Sequence, residues 1–212
     1  SQQFAELAVA TLRKAIQAGY RNLQAVKRYE PLGPIRERPE FQEIVASLEK
    51  TIQAENLAKR DSKDEKQKLS DKQQAAKLLR ELGEKEPADV RHQATLAASL
   101  RSIGLIQLGQ KNYAEAEKTI SEAFRIRESL KDKLASDPWQ QADHAAVRMA
   151  LGQVWWETDR RREAHRVWQE CLRELEKLAA AHRDNAEIQW AIAEQERQVC
   201  DKYGQLGLWE LA

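Results

Sequence analysis

The stretch AHRDNAEIQW places His182, Arg183 and Asp184 in a row. These are the residue types with which a phosphotransfer loop presents an aspartate to take up a hydroxyl proton. That chemistry needs Asn five residues after the Asp, and this chain has Gln189 there. It also needs a glycine-rich phosphate loop, a strand lysine and an Asp-Phe-Gly triplet, and the sequence contains none of them. The histidines His92, His144, His165 and His182 do not pair at i, i+3 or i+4, so no metal is expected. Cys171 and Cys200 have neither metal-ligand nor disulfide-framework spacing and are expected to be buried structural thiols. With no nucleophile–base pair to assemble, the chain is expected to be no enzyme and to need no cofactor.

The elements that carry these residues follow from composition. Charged residues nearly cancel, 35 basic against 34 acidic, which gives no reason to expect nucleic acid or an acidic membrane as partner. Strong helix formers dominate, Gly and Pro are few, and strand-favouring residues are scarce. An all-α protein is expected. No apolar run approaches the ~18 residues of a membrane span, and no signal-peptide pattern opens the chain. No membrane insertion is expected, and the sparing use of cysteine suits the cytoplasm.

Helical chains invite a search for repeats. A step of 48 residues carries Asp89 to Asp137 and Asn185, Ala97 to Ala145 and Ala193, and Gly104 to Gly152 and Cys200. The same step relates Leu82, Leu130 and Leu178; Ala75, Ala123 and Cys171; and Ala116, Ala164 and Ala212. Each unit reads as two helices. Asp89, Asp137 and Asn185 are good N-cap types, and Pro138 suits the first helical position. Apolar residues recur at helical spacing, as in Leu96, Leu100 and Ile103, then Met149, Leu151 and Trp155. Turns are expected at Gly109, Asp159 and Gly207. A weaker copy precedes, marked by Pro39 and Ala46 and closed by SDKQQAAKLLRELG.

The pattern resembles the tetratricopeptide repeat (TPR). That family places a Leu-Gly pair in its first helix, an aromatic after the turn, and small residues around a large one in its second. Ile103, Gly104, Tyr113, Ala116, Ile120 and Ala123 fit, as do Leu151, Gly152, Trp155, Ala164, Trp168 and Cys171, with Arg161 in place of the aromatic. A third copy has Val199, Cys200, Tyr203, Gly207, Trp209 and Ala212. The 48-residue period exceeds the family's usual ~34, implying longer helices, and the closing proline is mostly absent. The resemblance implies an α-solenoid of antiparallel helix hairpins over residues 38–212, in units of about 38–85, 86–133, 134–181 and a truncated 182–212. Gly104, Gly152 and Cys200 should sit at helix crossings against Ala116, Ala164 and Ala212.

Residues 1–37 form a separate N-terminal part, a helix followed by an irregular segment with Pro31 and Pro34. FAELAVATLRKAIQAGY reads as one amphipathic helix ending at Gly19. The succession of that helix, an AGYRNL turn and PLGPIRERPEF is similar to regions beside bacterial serine/threonine kinase domains. It implies an alternative reading: an accessory segment of a larger kinase. KRDSKDEKQKLSDK (59–72) reads as a charge-rich turn or a solvated helical bridge.

The resemblance implies non-catalytic binding of a peptide or partner helix in a concave groove lined by first-helix residues. The matching positions are Gln53, Leu57, Arg101, Leu105, Met149, Gln153, Trp156 and Arg197. Trp, Met and Arg are interface-core types. Trp156 could equally pack against the next repeat, and Trp168 and Trp190 are expected in the core. The Lys and Asn clamp that some TPR proteins use for a terminal carboxylate is not matched, since Leu105 follows Arg101 by four. Self-association is expected through residues 185–212, where Ile192, Val199, Tyr203 and Leu206 lack a covering helix.

Overall fold

The structure is a computed structural model that describes residues 2–87 and 89–204, with side-chain surroundings up to Asp201. Among the described residues every regular element is helical. The order is α1 (Gln2–Gln17), α2 (Leu23–Arg28), a 3-10 segment (Glu30–Ile35), α3 (Pro39–Lys59), α4 (Glu65–Lys85), α5 (Val90–Gly109), α6 (Tyr113–Leu130), α7 (Pro138–Glu157), α8 (Arg161–Ala181) and α9 (Ala186–Gly204). The chain divides into two compact units, Ser1–Thr95 and Leu96–Ala212, with the division inside α5.

Helix ends follow from local chemistry. Asp89 Oδ1 accepts from the Arg91 amide at 2.9 Å, Asp137 Oδ1 from the Trp139 amide at 2.9 Å, and Asn185 Oδ1 from the Ile188 amide at 3.1 Å. Each satisfies a donor that the first helical turn leaves unpaired. At the end of α1, Gly19 has φ +105°. Its amide reaches the Ile16 carbonyl, and the Tyr20 amide reaches Ala15, which closes the helix in a Schellman motif. Two more helices close the same way on residues with side chains, α5 on Lys111 (φ 62°) and α7 on Asp159 (φ 64°). The turn glycine expected at Gly109 is thus the last helical residue, and the left-handed position falls two residues later.

In the first unit, α1, α2, the 3-10 segment and α3 share a core of Leu12, Val26, Ile35, Phe41, Ile44 and Leu48. Helices α3 and α4 pair as an antiparallel hairpin. Its turn is tied by Lys72, whose ammonium donates to the carbonyls of Ala58 and, at 3.1 Å, Arg60. These are end carbonyls of α3, where a cation is favoured. Asp71 beside it is also buried, accepting from Gln67 at 2.7 Å with Arg60 at 3.6 Å. The segment expected to be solvated therefore turns two of its charges inward.

In the second unit α7 is buried on nearly every side, including Ala142, Ala145, Ala146, Val147, Met149, Ala150, Leu151, Gly152 and Val154. A helix apolar all round must be enclosed, and α6, α8 and α9 all pack against it. The amphipathic α8 offers Ala164, Trp168, Cys171, Leu175 and Leu178, one stripe at helical spacing. Helix α9 adds Ile188, Ile192 and Val199 to the same core. Ile192 and Val199 were expected to be uncovered, but α7 and α8 already bury them. The residue left outside is Trp190, 71% exposed rather than in the core. Tyr203's side chain and Leu206, Gly207, Trp209 and Ala212 lie outside the described residues.

Glycine permits the helix crossings. A Cβ on Gly104 would stand 2.3 Å from Ile120 Cγ1 and 3.4 Å from the Ala116 carbonyl oxygen. One on Gly152 would stand 2.4 Å from Trp168 Nε1 and 2.8 Å from Val167 Cγ1. The first crossing falls where expected; at the second, the residues nearest Gly152 are Val167 and Trp168, while Ala164 is also fully buried. Cys200 is half-buried.

Candidate interaction surface

Of the eight surface positions read from the sequence, Gln53 and Leu57 belong to the first unit and the other six to the second. Gln53 is exposed on α3, whereas Leu57 is buried beneath the α3–α4 packing. Arg101 and Leu105 lie half-buried one turn apart on α5. On α7, Gln153 and Trp156 are half-buried, but Met149 is 2% exposed. Leu57 and Met149 are therefore core residues and not surface lining: periodicity placed them on the right helices but did not reveal what covers them. Arg197 is exposed on α9, tied to Glu194 at 2.7 Å and Asp201.

The end of α7 and the start of α8 carry the most organised surface. Trp168 is fully buried and donates its indole N–H to the Met149 carbonyl at 3.1 Å. Trp156 stacks on Trp168 with ring centroids 5.3 Å apart, and the Arg161 guanidinium lies 5.6 Å from the Trp156 ring centroid. Next to it, Trp155 donates to Glu117 at 3.1 Å. Arg160 lies 4.9 Å over the Trp155 ring and pairs with Glu117 at 2.7 Å. Cations over indole faces hold both parties in place. The result is a pair of partly exposed indoles, backed by a buried third, with arginines at the rim. Two arginines at the start of α8, Arg160 and Arg161, thus cover tryptophans.

Comparison of the chain with protein-family models, curated proteins and solved structures finds no match.

The His-Arg-Asp run lies in the connection between α8 and α9. His182 closes α8 and Asn185 caps α9, which leaves Arg183 and Asp184 exposed in the connecting turn. Cys171 is fully buried, and that burial pushes its thiol up to about 12, so it holds its proton at neutral pH. Two other buried groups answer to structure. Arg127 bridges α6 to α7 by pairing with Asp143 at 2.8 Å and with Gln140; burial is the main influence on it and holds its pKa below the usual arginine value. His144 faces Glu128 at 2.7 Å, yet its burial, reinforced by the nearby charges of Arg148 and Lys131, lowers its pKa.

One group escapes a search for paired histidines. A ring nitrogen of His92 and one carboxylate oxygen each of Glu86 and Asp89 lie within 4.8 Å of one another. The signal in the sequence is a Glu and an Asp six and three residues before a His, across a helix start.

Proposed function

We propose that the chain is a non-catalytic protein–protein interaction scaffold, built as an α-solenoid of TPR-like hairpins with a 48-residue repeat. Helices α4, α6 and α8 begin at Glu65, Tyr113 and Arg161, and α5, α7 and α9 begin at Val90, Pro138 and Ala186, each step being 48 residues. The glycines at both crossings support the same reading, since each lets a second helix approach closely.

The observation that carries the function is Trp156. A half-buried indole fixed between a buried indole and a guanidinium loses little freedom on binding, and Trp beside Arg is the composition of an interface hot spot. Gln153, one turn earlier on α7, adds an adaptable hydrogen-bonding amide. The occupant in this reading is a peptide or partner helix with an apolar side chain for the exposed edge of the Trp156 ring and acidic groups for Arg161.

Selection of a displayed random-peptide library on the whole chain tests it. Enrichment of a peptide class by the native chain, lost on a Trp156→Ala, Gln153→Ala variant of unchanged circular dichroism, supports the reading. No enrichment, or the same peptides from both chains, overturns it.

A further inference from the structure

The first unit holds a polar group out of keeping with its helical core. Thr51 on α3, Asp89 before α5 and His92 in the first turn of α5 are all buried, and buried polar groups are costly unless each is satisfied. The hydrogen bonds assign the imidazole. Thr51 Oγ1 donates to the Ser47 carbonyl at 2.9 Å, so at its 3.1 Å contact with His92 Nε2 it accepts. Nε2 therefore carries the hydrogen, and Nδ1 of the neutral ring carries a lone pair. That Nδ1 is buried with no hydrogen-bond partner, in a residue only 3% exposed.

Two carboxylates clustered with an imidazole that has one unpartnered ring nitrogen make up a set of Lewis bases. Asp89 uses Oδ1 for the Arg91 amide, and its Oδ2 stands 3.9 Å from His92 Nε2. Glu86 accepts from Ser47 Oγ at 2.6 Å through Oε1 alone. Ligand atoms held at about 2.0–2.2 Å from one ion sit roughly 3.5 Å apart. A mutual spacing of at most 4.8 Å is within reach of small side-chain rotations. Metal-binding imidazoles commonly donate their other N–H to an outer partner, and Thr51 already takes that part. A solvent-open cleft of about 470 Å³ is lined in part by Ser47 and by Glu86, one of the three residues of the group.

We propose that Glu86, Asp89 and His92 form a site for a divalent transition cation of the zinc class. The nitrogen–oxygen donor set suits such an ion and is poor for a hard cation that prefers oxygen alone.

The test is titration of the metal-free full chain with Co²⁺, read by visible absorption, and with Zn²⁺ and Mg²⁺ by calorimetry. The native chain should bind one Co²⁺ or Zn²⁺ per chain and take up Mg²⁺ far more weakly. Loss of even an outer-shell partner costs roughly 10–100-fold in metal affinity, so Glu86→Gln and Asp89→Asn should each weaken binding at least about tenfold. Both substitutions keep shape, and Asn still caps a helix, so unchanged circular dichroism separates lost ligands from lost fold. Absence of saturable Co²⁺ and Zn²⁺ binding by the native chain overturns the proposal. So does binding that both variants retain undiminished.

Discussion

The indole of Trp168 lies directly across Gly152, where a Cβ would stand 2.4 Å from its Nε1. That approach lets the buried ring reach the Met149 carbonyl and support Trp156 from beneath. Alanine is favoured over glycine in a helix interior by about 1 kcal/mol, so propensity alone predicts that Gly152→Ala stabilises. Overpacking a tight core costs about 1–3 kcal/mol. The clash wins here because Val167 stands on the second side at 2.8 Å. A lower urea midpoint with a changed near-ultraviolet aromatic signal is expected for Gly152→Ala. A gain in stability would contradict the crossing.

Moving a glycine by two positions should have the opposite effect. Gly109 is helical, with nothing within 4 Å of a Cβ placed there, while Lys111 holds φ 62°. Gly109→Ala removes a helix penalty of about 0.5–1 kcal/mol. Lys111→Gly relieves a left-handed strain of similar size or somewhat more. Each is expected to raise the thermal midpoint, and the pair should be nearly additive if each acts on its own backbone position.

The same residues mark what was legible in the sequence. The caps Asp89, Asp137 and Asn185 and the left-handed Gly19 and Asp159 could be read because their chemistry is local. Lys111 could not, since nothing in its type marks a positive φ. Trp190 was misplaced for another reason: aligned with Ala94 and Ala142, it inherits an inward register, but Ile188 and Ile192 hold α9 on its core and leave the indole outside. Leu57 and Met149 show the same limit, because helical spacing gives a face but not what lies over it. The Glu86, Asp89 and His92 group depends on Thr51, 41 residues away from His92, and no local spacing reveals that partner.

Lys72 tests the α3–α4 turn. Its ammonium serves the carbonyls of Ala58 and Arg60, and burial is the first cause of its lowered pKa. Lys72→Met retains the aliphatic stem but removes a charged donor from those carbonyls, which half-buried Ala58 and exposed Arg60 carry, a loss of about 1–2 kcal/mol. Hydrogen exchange should accelerate at the end of α3 before it does elsewhere. Unchanged protection there would refute the capping role.

His144 gives a pH dependence of definite sign. Its folded pKa lies below its ordinary value of 6.5, chiefly through burial. The unfolded chain therefore takes up a proton that the folded chain resists. This contribution is fully present above pH 6.5 and is lost as the pH falls through the lower folded value. Urea midpoints should drop between pH 7.5 and pH 5, and His144→Gln should flatten that slope. A slope unchanged by the substitution would assign the dependence to other groups.

The proposed mode of action is binding at the surface around Trp156. Calorimetric titration of a library-selected peptide into the native chain and into Trp156→Ala, each with its thermal midpoint recorded, measures this directly. Hot-spot truncations cost about 2 kcal/mol or more, so a Kd weaker by about 30-fold or more is expected for the variant with its fold retained. Equal affinity for the two chains would contradict it.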